Sequence, residues 1–224
     1  MMGKIFVLNG PSGVGKTTFL KELLSQNDTR NIHLLPRYTN RPPRLNEKEG
    51  FEYLFTTFQD MLKKLYANDI IHIEKWGNYY SAIESQVIEK TITSDYDGII
   101  LASTFGASRL CAIFGCNVIS LYMWTGERSS LLDLRCIEPD SPEIIELKRR
   151  IRKRLIADEF SDFERESHTD DEFIEKRMLD NYVDIAAVSG KLRLGEDITV
   201  LPNIYDKLDT TISKFLSFWS KTKK

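Results

Sequence analysis

The eight residues Gly10-Pro11-Ser12-Gly13-Val14-Gly15-Lys16-Thr17 constrain this chain more than any other stretch. They satisfy G-x-x-x-x-G-K-[ST] in the context that gives the pattern meaning. An apolar, β-branched run from Lys4 to Asn9 precedes them, and Lys16 to Ser25 follows with helical periodicity. A strand, a glycine-rich turn and a helix in that order make half of a βα unit. Glycines let the backbone curl so that successive N–H groups point inward at phosphate oxygens, and the helix N-terminus adds partial positive charge. Lys16 would then reach the β- and γ-phosphates of ATP, and the Thr17 hydroxyl would ligate magnesium. The expected ATP-binding residues are Gly10, Pro11, Ser12, Gly13, Val14, Gly15, Lys16, Thr17 and Thr18, with Thr18 contributing helix more than chemistry.

The alternation continues along the 224 residues. Ile32 to Leu35 is a short apolar run, and it leads into Pro36 to Arg44, where three prolines argue for a polar, basic loop in place of helix or central strand. Phe51 to Phe55 and Ile70 to Glu74 suit short strands, with an amphipathic helix from Thr57 to Ala67 between them. A helix through Ile83 to Thr91 follows, then strands at Gly98 to Ser103 and Asn117 to Tyr122. Ser141-Pro142 opens the clearest helix, with Ser as N-cap and Ile144, Leu147, Ile151 and Leu155 on one face. After an acidic, turn-prone stretch from Asp158 to Asp171 come a helix from Glu172, a strand at Ile198 to Leu201, and a C-terminal helix. The stripe expected on that last helix is Ile204, Leu208, Ile212, Phe215 and Trp219.

The phosphate loop and this alternation predict an α/β fold of the P-loop NTPase kind with a parallel sheet core and an inserted small subdomain, and a resemblance to a known kinase family, carried by the segments named below, implies that the insertion is acceptor-binding and that a helical lid is present. The core takes residues 1–36 and 83–125 with 186–224. The acceptor subdomain takes 37–82. The lid region takes 126–185, with an insertion around Trp124 to Glu138.

A net charge of -2 argues against a nucleic-acid polymer as partner, because phosphate-backbone binding leaves a basic footprint. No apolar run approaches the length of a membrane span. Cys111, Cys116 and Cys136 are an odd number without metal-ligand spacing, which suits reduced thiols, and with no signal peptide evident the expectation is a cytoplasmic protein, monomer or homodimer.

Any anion site must then be local. Arg37, Arg41 and Arg44 sit in the proline-stiffened loop, and guanidinium forks match phosphate oxygens. Tyr53 follows in a strand, and Tyr80 closes Gly77-Asn78-Tyr79-Tyr80; a phenol can donate to phosphate while its ring packs. Lys148, Arg149, Arg150, Arg152, Lys153 and Arg154 crowd the polar face of the Ser141 helix.

In their order these segments resemble the guanylate kinase family: the phosphate loop, Arg41-Pro42-Pro43-Arg44, Glu49-Gly50-Phe51-Glu52-Tyr53, Gly77-Asn78-Tyr79-Tyr80, and Ile174-Glu175-Lys176-Arg177. The resemblance covers most of the chain. It implies a magnesium- and ATP-dependent kinase whose acceptor is a small phosphorylated molecule, GMP or dGMP. It further implies that Arg41, Arg44, Tyr53 and Tyr80 clamp the acceptor phosphate, and that lid arginines, for which Arg152 and Arg177 stand, join Lys16 and Arg41 in stabilising transfer. The base-reading positions depart from the family. Arg37 and Ala82 replace serines, Ala102 and Thr104 replace aspartates, and the guanine-reading glutamate falls near His72 or, with a shifted gap, Glu74. Glu74 is the remaining candidate acceptor for guanine N–H groups. The ribose 1,5-bisphosphate kinases are also similar, at the phosphate loop and at Arg37 to Arg41, as are non-catalytic guanylate kinase-like binding modules, although these typically lose the loop. His33, His72 and His168 show no triad or metal pattern, and none is assigned a catalytic role.

Overall fold

The computed structural model describes residues 2–26, 29–44, 47–157, 169–204 and 207–223. In chain order its elements begin with β1 (Ile5–Asn9), α1 (Lys16–Ser25), β2 (Ile32–Leu34), β3 (Arg37–Thr39), β4 (Tyr53–Phe55) and α2 (Phe58–Tyr66). They continue with β5 (Ile70–Trp76), β6 (Tyr79–Glu84), α3 (Ser85–Ile92), β7 (Asp97–Leu101), α4 (Thr104–Phe114) and β8 (Val118–Trp124). The last are α5 (Arg128–Leu132), α6 (Pro142–Ile156), α7 (Asp170–Arg193), β9 (Thr199–Pro202) and α8 (Leu208–Thr222). Described residues 2–8 and 30–120 form one compact unit, and 9–26, 29, 121–157, 169–204 and 207–223 form a second.

In the first unit, β1 and β7 are buried along their whole lengths, the pattern of parallel strands covered on both faces. β7 runs parallel to β1, with Ile5 opposite Gly98 and Leu8 opposite Leu101, and parallel to β2 on its other edge. Ile5, Val7 and Ile100 pack with Ile88 and Ile92 of α3 and Leu110 of α4. A second sheet, in the order β4-β3-β6-β5, holds the arginine and tyrosine segments. Met61 of α2, Ile70 and Ala82 form its small core.

Three local differences from the sequence reading lie here. The Pro36–Arg44 segment contains a strand, because Pro36 precedes β3 while Pro42 and Pro43 follow it; the prolines bound the strand without interrupting it. Tyr79–Glu84 is a strand and the next helix starts at Ser85, two residues later than expected, because Tyr79 to Ala82 pair with Ile73 to Trp76 across the Gly77 turn. Finally, α4 had no counterpart in the sequence reading, since Thr, Gly and Ser are weak helix formers. Its start is set by Ser103, whose hydroxyl accepts from the Gly106 N–H at 3.0 Å. A Cβ on Gly106 would lie 3.1 Å from His72 Nε2, so glycine lets α4 approach β5 closely.

In the second unit β8 and β9 are parallel, Leu121 opposite Thr199 and Trp124 opposite Pro202. The ring of Phe19 on α1 meets Phe215 on α8 edge-on at 5.8 Å. On α6, Ser141 caps the helix by accepting from Ile144 N–H, and Ile144, Leu147, Ile151 and Leu155 are buried. α7 starts two residues before the expected Glu172, behind a capping box of Thr169 and Glu172. Its buried face is apolar apart from Asn181 and Ser189. Ile204 of the expected C-terminal stripe precedes α8, while Ile212 and Phe215 are buried on it. No helix among the described residues is long and apolar enough to cross a membrane.

Candidate active site

The phosphate loop lies wholly in the second unit, and its form follows from where its carbonyl oxygens go. An anion nest needs N–H groups turned in and carbonyls turned away. Lys16 Nζ donates to the carbonyls of Gly10 and Pro11, at 2.6 and 2.9 Å. Asn181 Nδ2 donates to the carbonyl of Ser12 at 3.2 Å. The Val14 carbonyl accepts from Asn203 Nδ2 at 2.6 Å and Arg150 at 2.9 Å. Four loop carbonyls are thus drawn onto protein donors. Gly15 ends the loop at φ 101°, as N-cap of α1, and a Cβ there would lie 2.6 Å from Asn203 Nδ2. Only glycine meets both demands. Thr17 and Thr18 follow, exposed, in the first turn of α1.

Among the cations crowding α6, Arg150 is bonded to loop backbone. Its other nitrogens donate to the Asn203 carbonyl at 3.0 Å and to Glu146 at 2.6 Å. The Arg149 hydrogen bonds, joined by those of Arg150, outweigh the opposing effect of burial and hold the Glu146 carboxyl down at about 2. Arg152 makes an exposed pair with Asp171 at 2.6 Å, and Arg177 lies over the Phe173 ring at 5.3 Å. Asn181 and Asn203 were not singled out by sequence reasoning, which named Arg150 only as one of the cations on the Ser141 helix. For Asn181 and Asn203 no sequence signal exists, because their roles depend on contacts 169 and 189 residues away along the chain.

The residues expected to bind the acceptor lie in the first unit, on the β4-β3-β6-β5 sheet and in the segment between β3 and β4. Arg41, nearly buried, donates through Nη2 to both oxygens of Glu47, each at 2.8 Å, and the Arg44 backbone N–H donates to the same carboxylate at 2.8 Å. The Arg41 guanidinium lies 5.3 Å from the Tyr53 ring centroid. Tyr80 packs against Phe58 with ring centroids 4.5 Å apart, and its backbone N–H donates to Asn40 Oδ1 at 2.6 Å.

Beside this clamp a second cluster forms around Glu74. Arg37 donates to Glu74 Oε1 at 2.7 Å and to the Tyr53 hydroxyl at 2.9 Å. Ser103, the cap of α4, donates to Glu74 Oε2 at 2.5 Å. His72 Nε2 lies 3.2 Å from that oxygen, and the Ser81 hydroxyl donates to Oε1 at 3.4 Å. Burial alone would raise the Glu74 carboxyl. The His72 hydrogen bond, the Arg37 charge and the Ser103 hydroxyl outweigh it and hold the group well below the usual carboxylate range. Both alternatives for the guanine-reading position, His72 and Glu74, therefore belong to one network. Ala82 is buried in the sheet core, and Ala102 and Thr104 are buried at the start of α4. His33 stacks on Tyr96 at 4.3 Å; His168 lies outside the described residues. Glu47, Ser81 and Ser103 were missed, and of these only Ser103 carried a local signal, as a potential N-cap.

A sequence model of the family described as guanylate kinase matches residues 2–161. The chain belongs to the guanylate kinase family. Its relatives include the guanylate kinase of Mesomycoplasma hyopneumoniae, 35% identical over 156 residues, which are 69% of this chain and 72% of that protein. The guanylate kinase of Latilactobacillus sakei is 25% identical over 190 residues, 85% of this chain and 83% of the relative. A crystal structure of guanylate kinase from Anaplasma phagocytophilum shares the fold at a TM-score of 0.64 and 18% identity, covering 99% of this chain and 86% of that one. Family membership makes the chain an ATP-dependent nucleoside monophosphate kinase, a nucleotide-binding transferase of the P-loop NTPase fold.

Proposed function

We propose that the chain transfers the γ-phosphoryl group of ATP to the phosphate of GMP or dGMP, giving ADP and GDP or dGDP. The observation that carries the acceptor half is the seat of Glu47. A carboxylate, which stands in for a phosphate's paired oxygens, already lies across the Arg41 guanidinium and against the Arg44 N–H. An acceptor phosphate would exchange for it, with Tyr53 and Tyr80 alongside. For the base, a guanine edge offers N1–H and N2–H donors, and Glu74 supplies an ionised acceptor at neutral pH whose orientation Arg37 and Ser103 fix.

Lys16 would exchange the Gly10 and Pro11 carbonyls for the β- and γ-phosphate oxygens. The Thr17 hydroxyl, a hard oxygen donor exposed at the start of α1, fits magnesium carried by those phosphates, and the ion would neutralise their charge. Transfer needs no nucleophile from the protein, because an acceptor phosphate oxygen attacks the γ-phosphorus in line. Arg41 on the acceptor side, with Arg152 and Arg177, would neutralise charge spreading over the transferred group. Arg152 is available at little cost, since an exposed ion pair is weak.

A second reading is favoured by one observation. Both Glu74 oxygens already accept from Arg37, Ser81 and Ser103 and lie beside His72, so guanine must displace some of these donors. Another acceptor, such as ribose 1,5-bisphosphate or a different nucleoside monophosphate, would not need to. The intact loop with Lys16 and Thr17 speaks against a non-catalytic binding module. The test is ADP release with ATP, magnesium and each of GMP, dGMP, AMP, UMP, dTMP and ribose 1,5-bisphosphate. GMP or dGMP should lead; faster turnover of ribose 1,5-bisphosphate would replace the guanine assignment.

A further inference from the structure

Helix α7 begins at Asp170, beyond residue 161 where the match to the family ends. Its inward face is what helix packing asks for, with Phe173, Ile174, Met178, Ile185 and Val188 all buried. Asn181 occupies a position on that same face and is only 2% exposed. A leucine would satisfy packing alone, without the cost of desolvating a primary amide. The amide is matched by a single residue of the phosphate loop. Asn181 Oδ1 accepts the Ser12 N–H at 2.6 Å, and Asn181 Nδ2 donates to the Ser12 carbonyl at 3.2 Å, with the Met178 sulfur as a further neighbour at 3.4 Å.

We infer that Asn181 is a positioning residue for the phosphate loop, and that α7 braces the loop so as to set the chain's affinity for ATP. The inference rests on the reading of that loop as the ATP site. Pairing with both the N–H and the C=O of one residue reproduces a β-bridge and fixes the peptide planes on either side of Ser12. Asparagine's side chain offers both a donor and an acceptor in the short span required; aspartate keeps only the acceptor and leucine neither. Preordering matters most where the chain is freest, and Gly10, Gly13 and Gly15 make this loop free. Arg150 and Asn203 hold Val14 by its carbonyl alone, so the brace completes a grip on residues 12 and 14 that turns their carbonyls from the anion.

The experiment compares wild type with Asn181→Leu and Asn181→Asp by calorimetric titration of magnesium-ATP, by KM for ATP and for GMP separately, and by thermal melting. Both variants should weaken ATP by about tenfold, the order of one to two lost hydrogen bonds. The acceptor KM should stay within about twofold, because nothing on the acceptor side changes. Hydrogen exchange on the wild type needs no variant: the Ser12 amide should be protected like the α7 core. Folded variants with unchanged ATP affinity, an equal rise in both KM values, or a Ser12 amide exchanging like an open loop would each overturn the brace. Wild-type chain that binds no ATP would overturn the underlying reading instead.

Discussion

In the proposed reaction the phosphate loop and the acceptor cluster would both serve phosphates, yet they are made of opposite materials. The loop is backbone, shaped by glycines and gripped by neutral amides and one arginine, so its charge comes from dipoles and Lys16. The expected acceptor region is side chain, built from paired charges, Arg41 with Glu47 in the segment between β3 and β4 and Arg37 with Glu74 across β3 and β5. The difference teaches where tolerance lies. A backbone nest cannot change without losing its anion, whereas a wall of charged pairs can exchange members and read a different acceptor. Of the departures from the family pattern, Arg37 is a member of such a pair, whereas Ala82, Ala102 and Thr104 are buried.

Four perturbations would break or sharpen this contrast. Lys16→Ala should cost most, on the order of 10²–10³ in kcat, with an unchanged circular dichroism spectrum, since the lysine's donors go to its own loop. A folded variant of near-normal rate would remove the loop from the chemistry. Arg41→Ala should raise the acceptor KM by roughly ten- to a hundredfold through one lost charge-assisted fork, leaving the ATP KM alone. Loss of ATP binding in its place would exchange the two regions' roles.

Glu74→Gln should lower kcat/KM for GMP by about tenfold and barely affect acceptors that lack a guanine edge. The same substitution tests the acid side of stability. In the unfolded chain Glu74 titrates at its ordinary 4.5, and in the native chain well below it. Its contribution is therefore complete above that ordinary value and drains away as pH falls through the native one. Urea unfolding of wild type should weaken below about pH 4.5 more steeply than that of Glu74→Gln. The smallest effect belongs to Asp171→Asn, which frees Arg152 from an exposed pair and should shift stability by under about 1 kcal/mol.

The same contrast explains how much could be read in advance. The loop is contiguous, so strand, glycines, lysine and helix stood in order from Lys4 to Ser25, and α1 has the bounds expected of it. The Ser141-Pro142 start of α6 was legible for the same local reason. The Glu74 network was not. It is assembled by the β3-β6 and β5-β6 registers and by Ser103 at a helix whose composition hid it. Asn181 was illegible too, being an ordinary polar residue within a helix until the fold sets it against Ser12.

The measurement that bears most directly on the account follows the transferred group itself. ATP labelled at the γ-phosphate is incubated with the chain, magnesium and GMP, and the products are separated. Label recovered in the β-phosphate of GDP, one per ADP formed, is the predicted result. Label released as inorganic phosphate, with GMP unchanged, would contradict it.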